Sequence, residues 1–223
     1  MSHSSTSSYK LLVNAEGGRV DAAILSQDQW VSSRSIQGNA VENLAPALRG
    51  ALSEASIRPN EIDTWIYSGG PGSLLGLRSL AMLLSTWETA NTHASIRKLR
   101  YSGLVWAARE ILHETPGEPF LLISPWRTNA WNILPVGKDL PTEADIQVFE
   151  GEPVAPADTS IYVLGERLRA KPPLGSIPIP FPTFDSLARH LSTPGFLTES
   201  EKVSPILSGT TEYKKWTPTI PSV

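Results

Sequence analysis

The chain has 223 residues, 40% of them hydrophobic and 18% charged, and a formal net charge of −3. This length is sufficient for one domain of about 200 residues or for two lobes of roughly 100 each. An acidic chain lacks the positive charge with which proteins bind nucleic acid by themselves. The sequence contains no cysteine, which excludes disulfides, thiol catalysis and thiolate metal sites.

The four histidines are too far apart in sequence to form a local metal-binding motif. They are His3, His93, His113 and His190. We therefore expect no metal site and no cofactor. His113 and the nearby Glu110 are predicted to lie on a solvated helix surface.

Neither a leader nor a membrane span is predicted. Residues 1–8 are polar, lack the apolar core of a signal peptide and are predicted to be a disordered tail. The most apolar stretch further on is interrupted by Arg78 and Ser79, too early for a membrane span. These features predict a soluble, cytoplasmic protein without a membrane partner.

In chain order, the first predicted elements are three strands joined by short turns. The strands cover residues 11–13, 20–25 and 29–33, and residues 16–18 form the first turn. Three consecutive strands with such short connections predict an antiparallel meander.

A first helix follows, because Asn39 and Glu42 have the spacing of a capping pair. Pro46 marks either a kink or the true first turn of this helix, and Pro59 ends the segment. Its apolar side chains recur on one helical face. They are Leu44, Leu48, Leu52 and Ala55.

A fourth strand, 63–67, runs into a glycine-rich stretch and then into a second helix, 73–90. This helix is apolar nearly all round, and such a helix must be buried on more than one side. Two interpretations remain open. The helix is either a core element between two layers, or it packs one face on its own sheet and another on a partner protein.

The second half of the chain reads as a loop-rich lobe. A third helix is predicted at 101–112. From Pro116 onward the sequence contains most of the prolines, which is typical of loops. Later predicted elements are a hairpin of 120–124 and 130–134, strands 146–149 and 161–164, and a short helix that is capped by the Thr183 side chain and runs through Leu191. We therefore predict an N-terminal lobe of residues 9–115 and a C-terminal lobe of residues 116–223.

The glycine-rich stretch, IYSGGPGSLLGLR at 66–78, does not match the common nucleotide-binding templates. A phosphate loop requires a lysine where this stretch has only Arg78, and a dinucleotide motif requires a glycine where Leu75 stands. Ser73 can cap the following helix. The backbone N–H groups at the helix start could hold an anion, or the glycines allow only a tight strand-to-helix turn. We expect Gly72 to tolerate no side chain, because one there should clash or force a disfavoured backbone angle.

The stretch resembles the signature of a known family. Gly70-Pro71-Gly72-Ser73 followed by Gly76-Leu77-Arg78 is similar to the Gly-Pro-Gly-Ser-Phe-Thr-Gly-x-Arg signature of the TsaB family. That family takes part in making the threonylcarbamoyladenosine of tRNA. The family's Phe-Thr pair is Leu74-Leu75 here, and its usual arginine before the signature is Gly69.

The likeness is weaker elsewhere, which is typical of a divergent member. Arg127 is kept where the family has a hairpin turn ending in Asp-x-Arg, while the acid is replaced by Pro125. Near the end of the chain, residues 212–215 (EYKK) are similar to the family's terminal Pro-x-Tyr-Leu-Arg run.

The resemblance implies an α/β, actin-like fold of the sugar-kinase type, with two lobes that each hold a mixed sheet and helices. Such folds bind ATP through a first hairpin of the type Asp-x-Gly-Thr, whose acid meets the metal. Here the corresponding residues are Asn14-Ala15-Glu16-Gly17. The acid has become an amide, and Glu16 stands two residues out of register. We therefore expect lost nucleotide chemistry and no catalytic residue.

The resemblance implies a pseudoenzyme that acts as a non-catalytic scaffold. Its partners would be a TsaD-like paralogue and a TsaE-like ATPase, and it would meet tRNA only through the complex. One alternative is an actin-fold small-molecule kinase or ATP-binding protein. A glycoprotease-like peptidase is the other, and it is disfavoured because neither a histidine pair nor a Ser-His-Asp set is recognisable.

In the TsaB family, the helices matching the Leu44–Leu52 helix and the 74–90 helix form a bundle with a second subunit or with TsaD. We therefore expect a homodimer when the partner is absent. The predicted interface residues are Leu44, Leu48, Leu75, Met82 and Thr86. Arg78 could form an ion pair within the lobe or face a ligand, and we favour the ion pair.

Overall fold

The structure, a computed structural model, describes residues 8–27, 29–90, 96–156, 158–165 and 171–206. The predicted disordered tail lies outside these residues except for Ser8, which is exposed. The segment 212–215, similar to the family's terminal run, lies outside them as well.

The first sheet has six strands. They are β1 Tyr9–Asn14, β2 Arg19–Ser26, β3 Gln29–Gln37, β4 Ile62–Ser68, β5 Arg97–Tyr101 and β11 Thr198–Glu199. Their order in the sheet is β11-β5-β4-β1-β2-β3. β1, β2 and β3 form the predicted antiparallel meander, while β4 lies parallel to β1 and β5 parallel to β4.

Both faces of this sheet are buried. Because successive side chains of a strand point to opposite faces, Leu11 and Val13 of β1 contact helices α1 (Ala40–Ala55) and α2 (Leu74–Ala90). Leu12 instead belongs to the apolar cluster around helix α3 (Gly103–Glu114). The sheet is therefore covered by two helices on one face and by α3 on the other.

Helix α1 begins as predicted, since the Asn39 side chain accepts a hydrogen bond of 3.0 Å from the backbone N–H of Glu42. Pro46 lies inside this helix, which starts at Ala40 and continues to Ala55. Of the two alternatives predicted for Pro46, the true first turn is therefore excluded.

The third predicted helix starts two residues too early. Tyr101 ends β5, and the Ser102 hydroxyl accepts a hydrogen bond of 3.3 Å from the N–H of Val105. β5 was not predicted, because its residues, RKLRY, are mostly basic. Acidic residues elsewhere in the chain pair with two of them: Lys98 Nζ lies 2.5 Å from Glu88 Oε1, and Arg100 Nη2 lies 2.5 Å from Glu143 Oε1.

The second sheet is mixed and has five strands in the order β10-β9-β6-β7-β8. β6 and β7 form the predicted antiparallel hairpin, and β9 lies parallel to β6. The strands are β6 Phe120–Arg127, β7 Ala130–Val136, β8 Gln147–Glu150, β9 Ser160–Leu164 and β10 Ile177–Ile179.

The short helix α4 (Phe184–Leu187) continues into a 3-10 turn, Ala188–His190. Thr183 precedes α4 but its side chain makes no capping hydrogen bond. Instead, its carbonyl accepts a hydrogen bond of 3.0 Å from the Ser186 hydroxyl. The predicted cap by the Thr183 side chain is therefore wrong.

α3 lies between the two sheets and joins them into one core. Its buried side chains, which include Trp106 and Ala108, share a cluster with Leu122 of β6 and Ile66 of β4. The chain also returns to the first sheet at its described end. β11 pairs with β5, and residues 198–206 thus cross the predicted lobe boundary near residue 115.

Candidate functional site

The glycine turn, residues 69–73, connects the end of β4 to the start of α2. The Ser73 hydroxyl accepts a hydrogen bond of 3.3 Å from the N–H of Gly76, which confirms the predicted cap. Gly70 has φ of 108°, a conformation that side chains rarely adopt, and its peptide bond to Pro71 is cis.

Backbone hydrogen bonds fasten this turn to its neighbours on both sides. Gly69 donates to the carbonyl of Tyr101 at 2.8 Å, and Gly103 donates to the carbonyl of Gly70 at 3.1 Å. Ile206 donates to the carbonyl of Gly69 at 2.5 Å. The turn is therefore held between the start of α3 and the returning segment 198–206.

Two glycines of the signature have strict spatial requirements. A Cβ added at Gly76 would lie 2.7 Å from the backbone oxygen of Ala15, which cannot move aside as a side chain can. A Cβ at Gly70 would lie 2.9 Å from Leu77 and would require a strained backbone. Gly72 has no positive φ, and its Cβ would lie 3.0 Å from Glu16 Cγ. A side chain at Gly72 would therefore meet Glu16 without straining the backbone, whereas a side chain at Gly70 would strain the backbone.

The first hairpin turn, residues 15–18 between β1 and β2, packs directly on the glycine turn. The Glu16 side chain is 1% exposed, and its Oε1 accepts a hydrogen bond of 3.1 Å from the N–H of Gly70. Within the described part of the chain, its Oε2 has no hydrogen-bond partner. A Cβ added at Gly103 would lie 2.0 Å from this Oε2.

Burial raises the pKa of Glu16 to about 8, although the hydrogen bond from Gly70 and the nearby Ser68 hydroxyl and Gly103 N–H, which lie outside hydrogen-bonding geometry, act in the opposite direction. At neutral pH the side chain is therefore mainly a neutral carboxylic acid. It points into the glycine turn, and its oxygen is not a free negative charge available to a metal ion.

Asn14 stands where the family-type fold would carry its metal-binding acid, and it is 1% exposed. Its Nδ2 donates to Asp21 at 3.0 Å, and its Oδ1 accepts from the N–H of Glu16 at 3.1 Å. Asp21 also accepts from Arg19 at 2.9 Å. Both polar ends of this amide are thus bonded inside the protein.

The C-terminal half covers this turn. A Cβ added at Gly17 would lie 2.6 Å from the Phe181 ring, and Arg19 donates to the carbonyl of Pro182 at 2.5 Å. The first hairpin turn therefore contacts the glycine turn, the start of α2 and the segment 181–182.

The outward face of α2 carries exposed apolar side chains together with polar ones. Leu75 is 65% exposed, Met82 is 72% exposed, and Thr86 is also exposed. Arg78 lies on the same exposed side, and its ion pair within the lobe stays a prediction. The opposite face of α2, with Leu80 at its centre, is buried.

The two predicted interface residues of α1 lie elsewhere. Leu44 and Leu48 are 2% and 4% exposed and belong to the core between α1 and the first sheet. Because they are buried, they cannot contact a partner directly, and their prediction as interface residues is wrong. Val41, at 59% exposure, is the large apolar residue that α1 presents outward.

One buried acid–histidine contact was not predicted. His190 Nε2 lies 2.5 Å from Glu110 Oε1, and burial lowers the pKa of His190 while Glu110 raises it. The two residues are 80 positions apart, so no local pattern indicates the pair. His113 is exposed, as predicted. Across the described ranges, no three His, Cys, Asp or Glu side chains come close enough to hold a metal ion.

No family model and no curated protein matches the sequence. Two solved structures are similar along nearly the whole chain. YeaZ from Pseudomonas aeruginosa shares 19% identity at a TM-score of 0.60, over 90% of this chain and 99% of that chain. The chain has the YeaZ fold. A second structure from the same organism, described as an uncharacterized protein with similarity to peptidase YeaZ, has 18% identity and a TM-score of 0.60, over 91% of this chain and 100% of that chain.

YeaZ is the bacterial TsaB, so the similar structures agree with the resemblance that the glycine turn carries. A third structure, component A of the (R)-2-hydroxyglutaryl-CoA dehydratase of Acidaminococcus fermentans, has 14% identity and a TM-score of 0.38, over 66% of this chain and 49% of that chain. The predicted α/β fold, with two mixed sheets and helices, is confirmed. None of the described helices is long and apolar enough to cross a bilayer.

Proposed function

We propose that this chain is a TsaB-like, non-catalytic subunit of a complex that makes threonylcarbamoyladenosine in tRNA. In this proposal it binds a TsaD-like enzyme through the α1/α2 face, defined as Val41, Leu74, Leu75, Met82 and Thr86. The observation that carries the proposal is the cluster of exposed apolar side chains on this face of a YeaZ-like fold.

The exposed apolar residues lie close together on two packed helices. A Cβ added at Gly76 would lie 3.3 Å from the Cβ of Ala40, which brings the start of α1 beside the start of α2. Val41 and Leu75 are the chain neighbours of these two contacting residues, and Met82 follows Leu75 two helical turns along α2. Single exposed apolar side chains are common on monomers, whereas such a cluster is typical of a docking surface.

The first hairpin turn supports the non-catalytic part of the proposal. Actin-like folds bind nucleotide with an acid and free backbone N–H groups at this turn. Here Asn14 is bonded to Asp21, and Glu16 accepts the N–H of Gly70. The polar groups of the turn are thus used to hold the protein together. Contact with tRNA would come through the TsaD-like subunit and a TsaE-like ATPase.

The proposal is tested by measuring threonylcarbamoyladenosine in tRNA by mass spectrometry. The strain lacks the chromosomal copy of this gene and carries wild type, Met82→Glu or Val154→Glu. Val154 is 82% exposed on the C-terminal half, so Val154→Glu is a matched change of an exposed apolar residue to an acid.

We expect wild type and Val154→Glu to restore the modified nucleoside and Met82→Glu to leave it depleted. Normal levels in the strain without the gene would refute the role in tRNA modification. Full restoration by Met82→Glu would refute the α1/α2 face as the docking surface.

A further inference from the structure

Glu16 is a buried acid that the proposed function does not use. Its carboxyl group lies where three segments meet: the first hairpin turn, the glycine turn and the start of α3. It accepts a hydrogen bond from Gly70 at 3.1 Å, while its second oxygen faces Gly103 and has no hydrogen-bond partner among the described residues.

The surrounding backbone leaves room for this side chain through two glycines. A Cβ at Gly72 would lie 3.0 Å from Glu16 Cγ, and a Cβ at Gly103 would lie 2.0 Å from Oε2. The second distance is far below van der Waals contact, so any side chain at Gly103 would displace the carboxyl. The cleft between the turns is thus filled by the chain's own acid.

We propose that the carboxyl group of Glu16 is a proton-dependent latch that holds the first hairpin turn against the glycine turn and the start of α3. In the protonated state the latch is closed, and a neutral acid fills the cleft. Loss of the proton leaves a buried negative charge on a carboxyl whose second oxygen has no partner, which favours opening.

The groups around Glu16 do not neutralise its charge. Ser68 on β4 lowers the pKa of Glu16, Glu16 in turn acts on Tyr101 of β5, and no cation is among the influences on the pKa of Glu16. Tyr101 is itself buried, and the negative charges of Glu16 and Asp21 raise its pKa further while Arg19 lowers it. The positive end of the α3 dipole offsets part of the cost of ionisation.

The first hairpin turn also contacts α2 and the C-terminal half, outside the cleft. Gly76 of α2 packs on the backbone of Ala15, and Phe181 packs on Gly17. Opening of the first hairpin turn would therefore loosen the start of α2 and the contact with the C-terminal half together.

Hydrogen–deuterium exchange of the full chain tests the latch, at about pH 6.5 and about pH 9, in wild type, Glu16→Gln and Glu42→Gln. Glu42→Gln controls for loss of an exposed glutamate in α1. Exchange is corrected for the intrinsic effect of pH and followed in peptides covering residues 69–73 and 102–105. With a pKa of about 8 when closed and 4.5 when open, linkage predicts that the opening constant rises roughly thirtyfold in wild type.

The rise is expected in Glu42→Gln as well and is expected to be absent in Glu16→Gln. Equal pH dependence in wild type and Glu16→Gln would overturn the latch. If Glu16→Gln does not fold, carbon-13 NMR titration of the Glu16 carboxyl in wild type decides instead. A midpoint near the ordinary value of 4.5 would then refute the proposal.

Discussion

The buried side chain of Glu16 joins two turns, because its Oε1 accepts a hydrogen bond of 3.1 Å from the backbone N–H of Gly70. This contact fixes the first hairpin turn to the glycine turn, so the buried carboxyl of Glu16 has a structural role.

The first prediction concerns pH and stability. Burial raises the pKa of Glu16 from 4.5 to about 8, so the folded state holds more protons than the unfolded state between these two values. The free energy of unfolding should therefore fall as pH rises through this window, by several kcal/mol at about 1.4 kcal/mol per pKa unit. Glu16→Gln should remove this contribution and be more stable than wild type at about pH 8.5. Urea denaturation at several pH values across this window measures the free energy of unfolding of wild type and of Glu16→Gln. The same change of this free energy with pH in both proteins would contradict the raised pKa of Glu16.

The second prediction concerns Gly76. An alanine there would place its Cβ 2.7 Å from the backbone oxygen of Ala15. Overpacking against backbone should destabilise Gly76→Ala by about 1–3 kcal/mol. Gly137→Ala is the matched control, because a Cβ at Gly137 meets no atom within 4 Å. Thermal unfolding compares the two variants, and an unchanged melting temperature in Gly76→Ala would show that the contact is not tight.

Much of the fold follows from local patterns in the sequence. Asn39 marks the start of α1 by its side chain, and Ser73 marks the start of α2, since each caps in the predicted way. β5 could not be predicted because the neutralising partners of its basic residues, such as Glu143 for Arg100, lie far away in sequence. A short run made mostly of basic residues then looks like an exposed segment.

The candidate site shows the same limit. The family signature locates the glycine turn, but nothing local to Glu16 indicates that its carboxyl is buried against Gly70 and Gly103. The periodicity of α1 placed Leu44 on an apolar face without showing whether that face meets the sheet or a partner. Such assignments depend on tertiary packing, which a single helix pattern does not contain.

The third prediction concerns catalysis. Asn14 is an internally bonded amide and Glu16 is a buried neutral acid, so the purified chain should hydrolyse neither ATP nor peptides above background. Phosphate release and a peptide-cleavage assay measure this, and calorimetry with ATP and Mg²⁺ should give no binding heat. Steady ATP turnover that is lost in Glu16→Ala would contradict the expectation, since Glu16 would then act as a displaced acid.

The fourth prediction concerns self-association. Without its partner, the chain should form a homodimer through the α1/α2 face, since a helix bundle of this kind usually buries more than roughly 1,200 Å² of total surface, the size of a specific interface. Met82→Glu would place an unpaired charge in that interface and should give a folded monomer. Light scattering checks this with Val154→Glu as the control, which should remain a dimer. A monomeric wild type would contradict the prediction.

The central claim is that the α1/α2 face binds a TsaD-like enzyme. The most direct measurement is the affinity of the purified chain for the TsaD-like paralogue encoded in the same genome, determined by calorimetry for wild type, Met82→Glu and Val154→Glu. We expect a defined complex for wild type and for Val154→Glu. Because Met82→Glu would bury a charge without a partner, its affinity should be at least about a hundredfold weaker. Equal affinity of wild type and Met82→Glu, or no complex with wild type, would contradict it.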